Sequence, residues 1–114
     1  MNAGAEEMQF DAGLLPAEGE YVILEAGETS WVVAMVEGRP FAFRNRCGHI
    51  PQRMEGGQLE RGIWRCPHHG IRYDIATGEV IDDRGFNFIE SLEVVACELR
   101  DSLLIIQPGI PPGE

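Results

Sequence analysis

Lysine is absent from this 114-residue chain, and cysteine and histidine are scarce, with three of each. All nine basic residues are therefore arginine, set against nineteen acids for a formal net charge of −10. A chain this acidic repels phosphate, which argues against nucleic acid as a partner. Three cysteines are too few, and odd in number, for a disulfide scaffold. Apolar runs are only a handful of residues long, far short of the roughly 20 that a bilayer-spanning helix needs, so no membrane association is expected. The first residues, Met1-Asn-Ala-Gly-Ala-Glu-Glu-Met8, hold no basic residue and no apolar stretch. Neither a Sec nor a twin-arginine signal is expected from them, and the cytoplasm is the expected compartment.

What is present is a soluble composition, 44% hydrophobic and 25% charged, in a length that suits one domain with a real core. The charge is segregated. Residues 39–72 carry seven arginines against Glu55 and Glu60, a local balance of +5, while the rest of the chain sets Arg84 and Arg100 against seventeen acids, or −15. A field of that shape steers the basic region, with Arg53 and Arg72 in it, toward an acidic patch on a partner.

Short strands separated by Gly, Pro and acidic turns run the length of the chain, and no segment has a helical period. Strands are predicted near 20–25, 30–36, 39–44, 58–60, 63–65, 72–74, 79–81, 92–99 and 103–107. About nine short strands suggest an all-β antiparallel sandwich or partly open barrel. A single domain over 1–108 is expected, with 109–114 as a disordered, Pro- and Gly-rich tail.

Five of the six cysteines and histidines fall in two pieces, Cys47-Gly48-His49 and Cys66-Pro67-His68-His69-Gly70, separated by sixteen residues. Each piece offers one thiolate and an imidazole two or three residues on. The sixth, Cys97, lies in an apolar strand and reads as a small core residue. The C-x-H and C-x-x-H spacing resembles that of a Rieske centre, in which two cysteines hold one iron of a [2Fe–2S] cluster and two histidines hold the other. The likeness extends past the ligands: the run Cys66-Pro-His-His-Gly-Ile-Arg-Tyr-Asp-Ile-Ala-Thr-Gly78 is similar to the C-P-x-H-G-x-x-[FWY]-D-x-x-T-G run of Rieske ferredoxins.

The resemblance implies a small cluster-binding insert, near 45–75, on a base built from both ends of the chain. It implies Cys47 and Cys66 on the inner iron and His49 and His69 on the outer one, with His68 a solvent-facing neighbour at the mouth. Replacing two thiolates by neutral imidazoles makes the cluster less negative and easier to reduce, so Rieske potentials run from roughly −150 to +300 mV against about −400 mV for plant-type ferredoxins. High-potential Rieske proteins add a Ser and a Tyr that donate to the cluster sulfurs, and a disulfide between the two loops. Here Ile71 stands at the Ser position and Tyr73 at the Tyr position, and neither loop has the extra cysteine. The low end of the Rieske range is therefore expected. The proline-bearing loop that covers the cluster in Rieske ferredoxins corresponds to 82–91, which has no proline, so Phe86, Phe88 or Ile89 is expected to shield the cluster.

By the same resemblance the chain would be a ferredoxin component of a ring-hydroxylating dioxygenase or related system. It would pass single electrons from a flavin-dependent ferredoxin reductase to a terminal oxygenase, working as a monomer. It would have no substrate chemistry of its own, since no nucleophile–base pair and no further open metal site is visible. Two alternatives share these residues. One is a small Rieske-like subunit of a nitrite reductase, where the ligands are often missing. The other is a structural zinc module, since zinc accepts two Cys and two His tetrahedrally.

Overall fold

The computed structural model describes residues 7–48 and 52–112. Ten strands run through them: β1 Met8–Asp11, β2 Tyr21–Ala26, β3 Thr29–Val36, β4 Arg39–Arg44, β5 Gln58–Glu60, β6 Ile63–Arg65, β7 Arg72–Asp74, β8 Val80–Asp82, β9 Val94–Arg100 and β10 Leu103–Gln107. The only helical element among the described residues is a single 3-10 turn at Ala12–Leu14. No helix of the described residues is long and apolar enough to cross a membrane. Six strands form one antiparallel sheet in the order β1-β10-β9-β4-β3-β2, and the other four form a second in the order β5-β6-β7-β8. In sequence the small sheet lies wholly between β4 and β9.

The pattern of β3 explains why two cores form. Its run Ser30-Trp-Val-Val-Ala34 is buried on both faces, as in strands covered from two sides. Successive side chains point to opposite faces, so Trp31 and Val33 enter one core and Val32 and Ala34 the other. The Trp31 side gathers Leu24, Ala42, Val95, Leu104 and Ile106, with Met8 and Phe10 packed against them. All six strands feed that core, so the large sheet curls around it toward a barrel. The Val32 side gathers Phe43, Met54, Trp64, Ile71, Tyr73 and the two cysteines of the paired motifs, and it fills the space between the sheets.

Trp64 joins the two sheets. It is fully buried and meets Tyr21 of β2 edge-on at 4.7 Å and Phe43 of β4 at 5.2 Å between ring centroids. Its indole N–H donates to the Met54 sulfur at 3.3 Å, and Tyr21 Oη donates to the Gly57 carbonyl at 2.9 Å. The small sheet is thereby fixed in orientation on the large one, which sets the direction in which its loops project.

Nine predicted strands are present, with ends that differ by at most two residues. The strand that sequence reading did not supply is β1, whose four residues pair with β10 from Met8↔Ile106 to Asp11↔Leu103. The end of the chain also differs from its Pro- and Gly-rich appearance. Ile110 N–H donates to Gln107 O at 3.2 Å, and Ala96 N–H donates to Ile110 O at 2.7 Å, so the backbone as far as Ile110 is tied to β9.

Candidate metal centre

Two hydrogen-bonded loops present the paired motifs. The first leaves β4 at Asn45, a buried side chain that receives the Met54 N–H on Oδ1 at 2.6 Å and donates through Nδ2 to Ser30 Oγ at 3.1 Å. Inside that clasp Cys47 N–H donates to Gln52 O at 2.9 Å. The second loop joins β6 to β7 and is closed by Cys66 N–H to Ile71 O at 2.8 Å and Gly70 N–H to Cys66 O at 3.0 Å. The closures turn the Cys47 and Cys66 side chains inward, where both are buried and their sulfurs lie 3.1 Å apart. The hydrogen bond that Cys66 donates to Cys47, together with burial, pushes the Cys66 thiol well above its ordinary range.

Tyr73 stands beneath this pair. Its ring is fully buried on β7, opposite Trp64 in the β6–β7 ladder. Its hydroxyl oxygen accepts the Gly48 N–H at 3.2 Å and lies 4.0 Å from Cys47 Sγ. Either atom of the Tyr73–Cys47 contact can act as its donor, and the phenol has its proton available for it. Burial, and then the neighbouring Cys47 charge, hold the phenol well above its usual range, so it stays a donor. Ile71 is fully buried and offers no hydroxyl.

Gly48 is required by close approach. A Cβ there would collide with the Glu90 carbonyl and sit 3.0 Å from Tyr73 Oη. That carbonyl belongs to the 83–91 segment, which Glu90 N–H ties to Gly48 O at 3.0 Å. Gly78, the last residue of the thirteen-residue run, has φ +84 and a Cβ there would strike the Leu92 carbonyl; Leu92 N–H in turn donates to Gly78 O at 2.9 Å. The C-terminal end of the 83–91 segment is thus pinned to the first ligand loop and to the turn that follows β7.

Of the two candidate imidazoles in the second loop, His69 is exposed, with its ring 4.9 Å from that of Phe86. His68 is also exposed and meets the Arg53 carbonyl through Nε2 at 2.7 Å, linking the two loops. His49 lies outside the described residues, as do Ile50 and Pro51. Cys97 is remote on β9, packed against the barrel core, where burial and then Glu98 push its thiol up to about 12. Of the three residues considered for shielding, Phe86 and Ile89 pack against the core that contains the cysteines, whereas Phe88 stands in solvent.

The structure redistributes the basic region. Arg53 is held by Glu25 at 2.6 Å and by Glu55, and Arg44 lies 3.7 Å from Glu93. Arg65 and Arg72 are direct cross-strand partners on the outer face of the small sheet, and with Arg61 they line a cleft of about 290 Å³. No ion pair engages these three arginines among the described residues. Two like charges opposite one another on a sheet are unfavourable unless something else compensates them.

The positions of Asn45, Gly48 and Glu90 carried no signal in the sequence that marked them as supports of the site. Their roles come from contacts across the fold, and a glycine directly before a candidate histidine was the only local cue.

Comparison with known proteins gives one answer. The family model described as the Rieske [2Fe-2S] domain matches residues 9–93. The ferredoxin component of the naphthalene 1,2-dioxygenase/salicylate 5-hydroxylase systems of Ralstonia sp is 34% identical over 64 residues, covering 56% of this chain and 62% of that protein. Human apoptosis-inducing factor 3 is 29% identical over 76 residues, 67% of this chain, and the match spans 13% of that protein's length. A solved complex of reduced oxygenase and oxidized ferredoxin in carbazole 1,9a-dioxygenase contains a chain that superposes with a TM-score of 0.77 at 18% identity, covering 97% of this chain and 100% of that one. The ferredoxin of Sphingomonas yanoikuyae B1 superposes at 0.71 with 24% identity, covering 85% and 92%. Two buried sulfurs converging at 3.1 Å, with a phenol oxygen 4.0 Å from one of them and an exposed imidazole on the Cys66 loop, suit the thiolate side of such a cluster. The chain belongs to the Rieske [2Fe-2S] domain family, whose members carry one such cluster per domain.

Proposed function

We propose that this chain is a one-electron carrier that takes electrons from a flavin-dependent reductase and delivers them to a terminal oxygenase. Cys47 and Cys66 hold one iron, and His49 and His69 hold the other. The observation that carries this reading is the pairing of two buried sulfurs with an exposed histidine edge on the same loop. The cluster, when bound, supplies a single-electron couple. The rest is the work of the chain. Cys47 and Cys66 bind from the buried side. Tyr73 holds a proton toward the Cys47 sulfur, and Phe86 fixes the plane of His69. The 83–91 segment keeps water from the inner side, while the His69 edge faces a partner. Similarity to dioxygenase ferredoxin components supports the choice of oxygenase. Thiolates that must hold iron are kept reduced in the cytoplasm, which supports that compartment.

The test is reconstitution with NADH, a purified flavin reductase and the oxygenase component of a naphthalene dioxygenase system. Wild-type chain should support oxygenase turnover, and omission of the chain should abolish it. His69→Ala and Cys66→Ser should lose or convert the Rieske spectrum, whereas His68→Ala should keep it. An intact spectrum in His69→Ala would remove the ligand assignment. Colourless protein with bound zinc and no acid-labile sulfide would replace the function with that of a structural zinc module.

A further inference from the structure

Phe88 is 97% exposed, the most exposed large hydrophobic side chain among the described residues. Its backbone is also left-handed, with φ +59. For a bulky side chain that conformation is a genuine outlier, and it persists only where the surroundings enforce it. The surroundings do so here. Asp82 Oδ1 receives the Arg84 N–H at 3.0 Å, Asp83 Oδ1 receives the Gly85 N–H at 2.9 Å, and Phe86 N–H donates to Asp83 O at 2.9 Å. Glu90 is fastened to Gly48 on the far side. Between these ties Phe86 and Ile89 turn inward and Phe88 is driven outward. A glycine or asparagine would fit this backbone with less strain and would expose no apolar surface.

We infer that Phe88 is the anchor by which this protein docks on its electron acceptor, inserting into an apolar pocket of the terminal oxygenase beside the His69 edge. The inference rests on the carrier function proposed above. Its argument is continuity with the electron exit. Phe88 is two residues from Phe86, whose ring packs on His69, and two residues of chain reach at most roughly 7 Å. A partner that closes on the exposed His69 edge therefore comes within reach of the segment that carries Phe88. Aromatic side chains that fill a partner's pocket carry a large share of interface energy, because they bury much surface while fixing few rotatable bonds.

The experiment follows electron transfer from the reduced holoprotein to the naphthalene dioxygenase oxygenase component by stopped flow. Small-molecule oxidation by ferricyanide serves as the control. Phe88→Ala and Phe88→Gly should slow the second-order transfer by about tenfold or more, the loss expected of a hot-spot aromatic. Phe88→Trp should stay near wild type, and the cluster spectrum and ferricyanide rate should not move. Phe88→Gly should at the same time raise the thermal midpoint of the holoprotein, because it removes the left-handed strain. Wild-type transfer that persists unchanged in Phe88→Ala would overturn the docking role. A midpoint that stays level or falls in Phe88→Gly would overturn the claim that the conformation is held at a cost. Failure of the wild type itself to reduce the oxygenase would show before any variant was made, and would remove the carrier reading together with this one.

Discussion

Tyr73→Phe isolates one hydrogen bond that the fold aims at the cluster site. The substitution keeps the buried ring and deletes only the hydroxyl, which lies 4.0 Å from Cys47 Sγ and accepts from Gly48 N–H at 3.2 Å. A donor to a cluster sulfur stabilises the reduced, more negative state more than the oxidised one, so its loss must lower the potential. A net hydrogen bond contributes about 1 kcal/mol, and at 59 mV per tenfold for a one-electron couple that is about 40 mV. The long S···O separation places the effect at or below that figure. Gly48 N–H loses its acceptor as well, which should lower stability by about 1 kcal/mol. The assay is a redox titration monitored by electron paramagnetic resonance, with a thermal melt of the same samples. A potential that is unchanged or higher in the variant, with the cluster intact, would refute the assignment of Tyr73 as a donor. The phenol is held protonated by burial and by the nearby sulfur charge, so the wild-type potential should show no step from Tyr73 across its ordinary titration range near pH 10.

Three further outcomes follow from the same contacts. Gly48→Ala places a methyl group against the Glu90 carbonyl, so the variant should purify with little cluster, measured as iron and sulfide per chain; full occupancy would mean that the 83–91 segment yields easily. Charge reversal at Arg65 and Arg72 should slow transfer to the oxygenase at low salt far more than reversal at Arg53, whose guanidinium is already engaged by Glu25 and Glu55; equal effects would make the cleft arginines incidental. The Arg53 guanidinium holds the Glu25 and Glu55 carboxyls below the 4.5 of the unfolded chain. The stability they add is therefore complete above that value and is lost as pH falls through the lower folded values. Melting curves of wild type and Arg53→Gln should converge as acid is added and separate near neutrality, and a gap that widens in acid would contradict the pairing.

The paired motifs were legible because cluster ligands cluster locally in sequence: spacing alone set Cys47 and Cys66 apart from Cys97, and the structure buries the first two face to face. Strands β2 to β10 were legible from β-branched and aromatic runs bounded by Gly and acidic turns. Strand β1 was not, because Met8-Gln-Phe-Asp11 is too short to show a period and exists through its pairing with β10, nearly a hundred residues away in sequence. A separation of 28 residues likewise hid Glu25 as a salt-bridge partner of Arg53. A count of charges along the chain gave 39–72 a balance of +5 with Arg53 in it, but Glu25 on β2 folds back to pair with Arg53, and Arg61, Arg65 and Arg72 gather at one cleft. Shielding by the 82–91 stretch was foreseeable from its aromatics, but which of them faces inward depends on backbone dihedrals. The left-handed φ of Phe88 turns it away, leaving the cover to Phe86 and Ile89.

The central claim is a Rieske cluster held by two cysteines and two histidines and poised to feed an oxygenase. Electron paramagnetic resonance during a redox titration of the anaerobically purified protein tests it most directly. The account predicts a rhombic signal with an average g well below that of four-cysteine clusters, appearing on reduction in the lower part of the roughly −150 to +300 mV Rieske range. No signal at any potential, with zinc in the metal analysis, would contradict it.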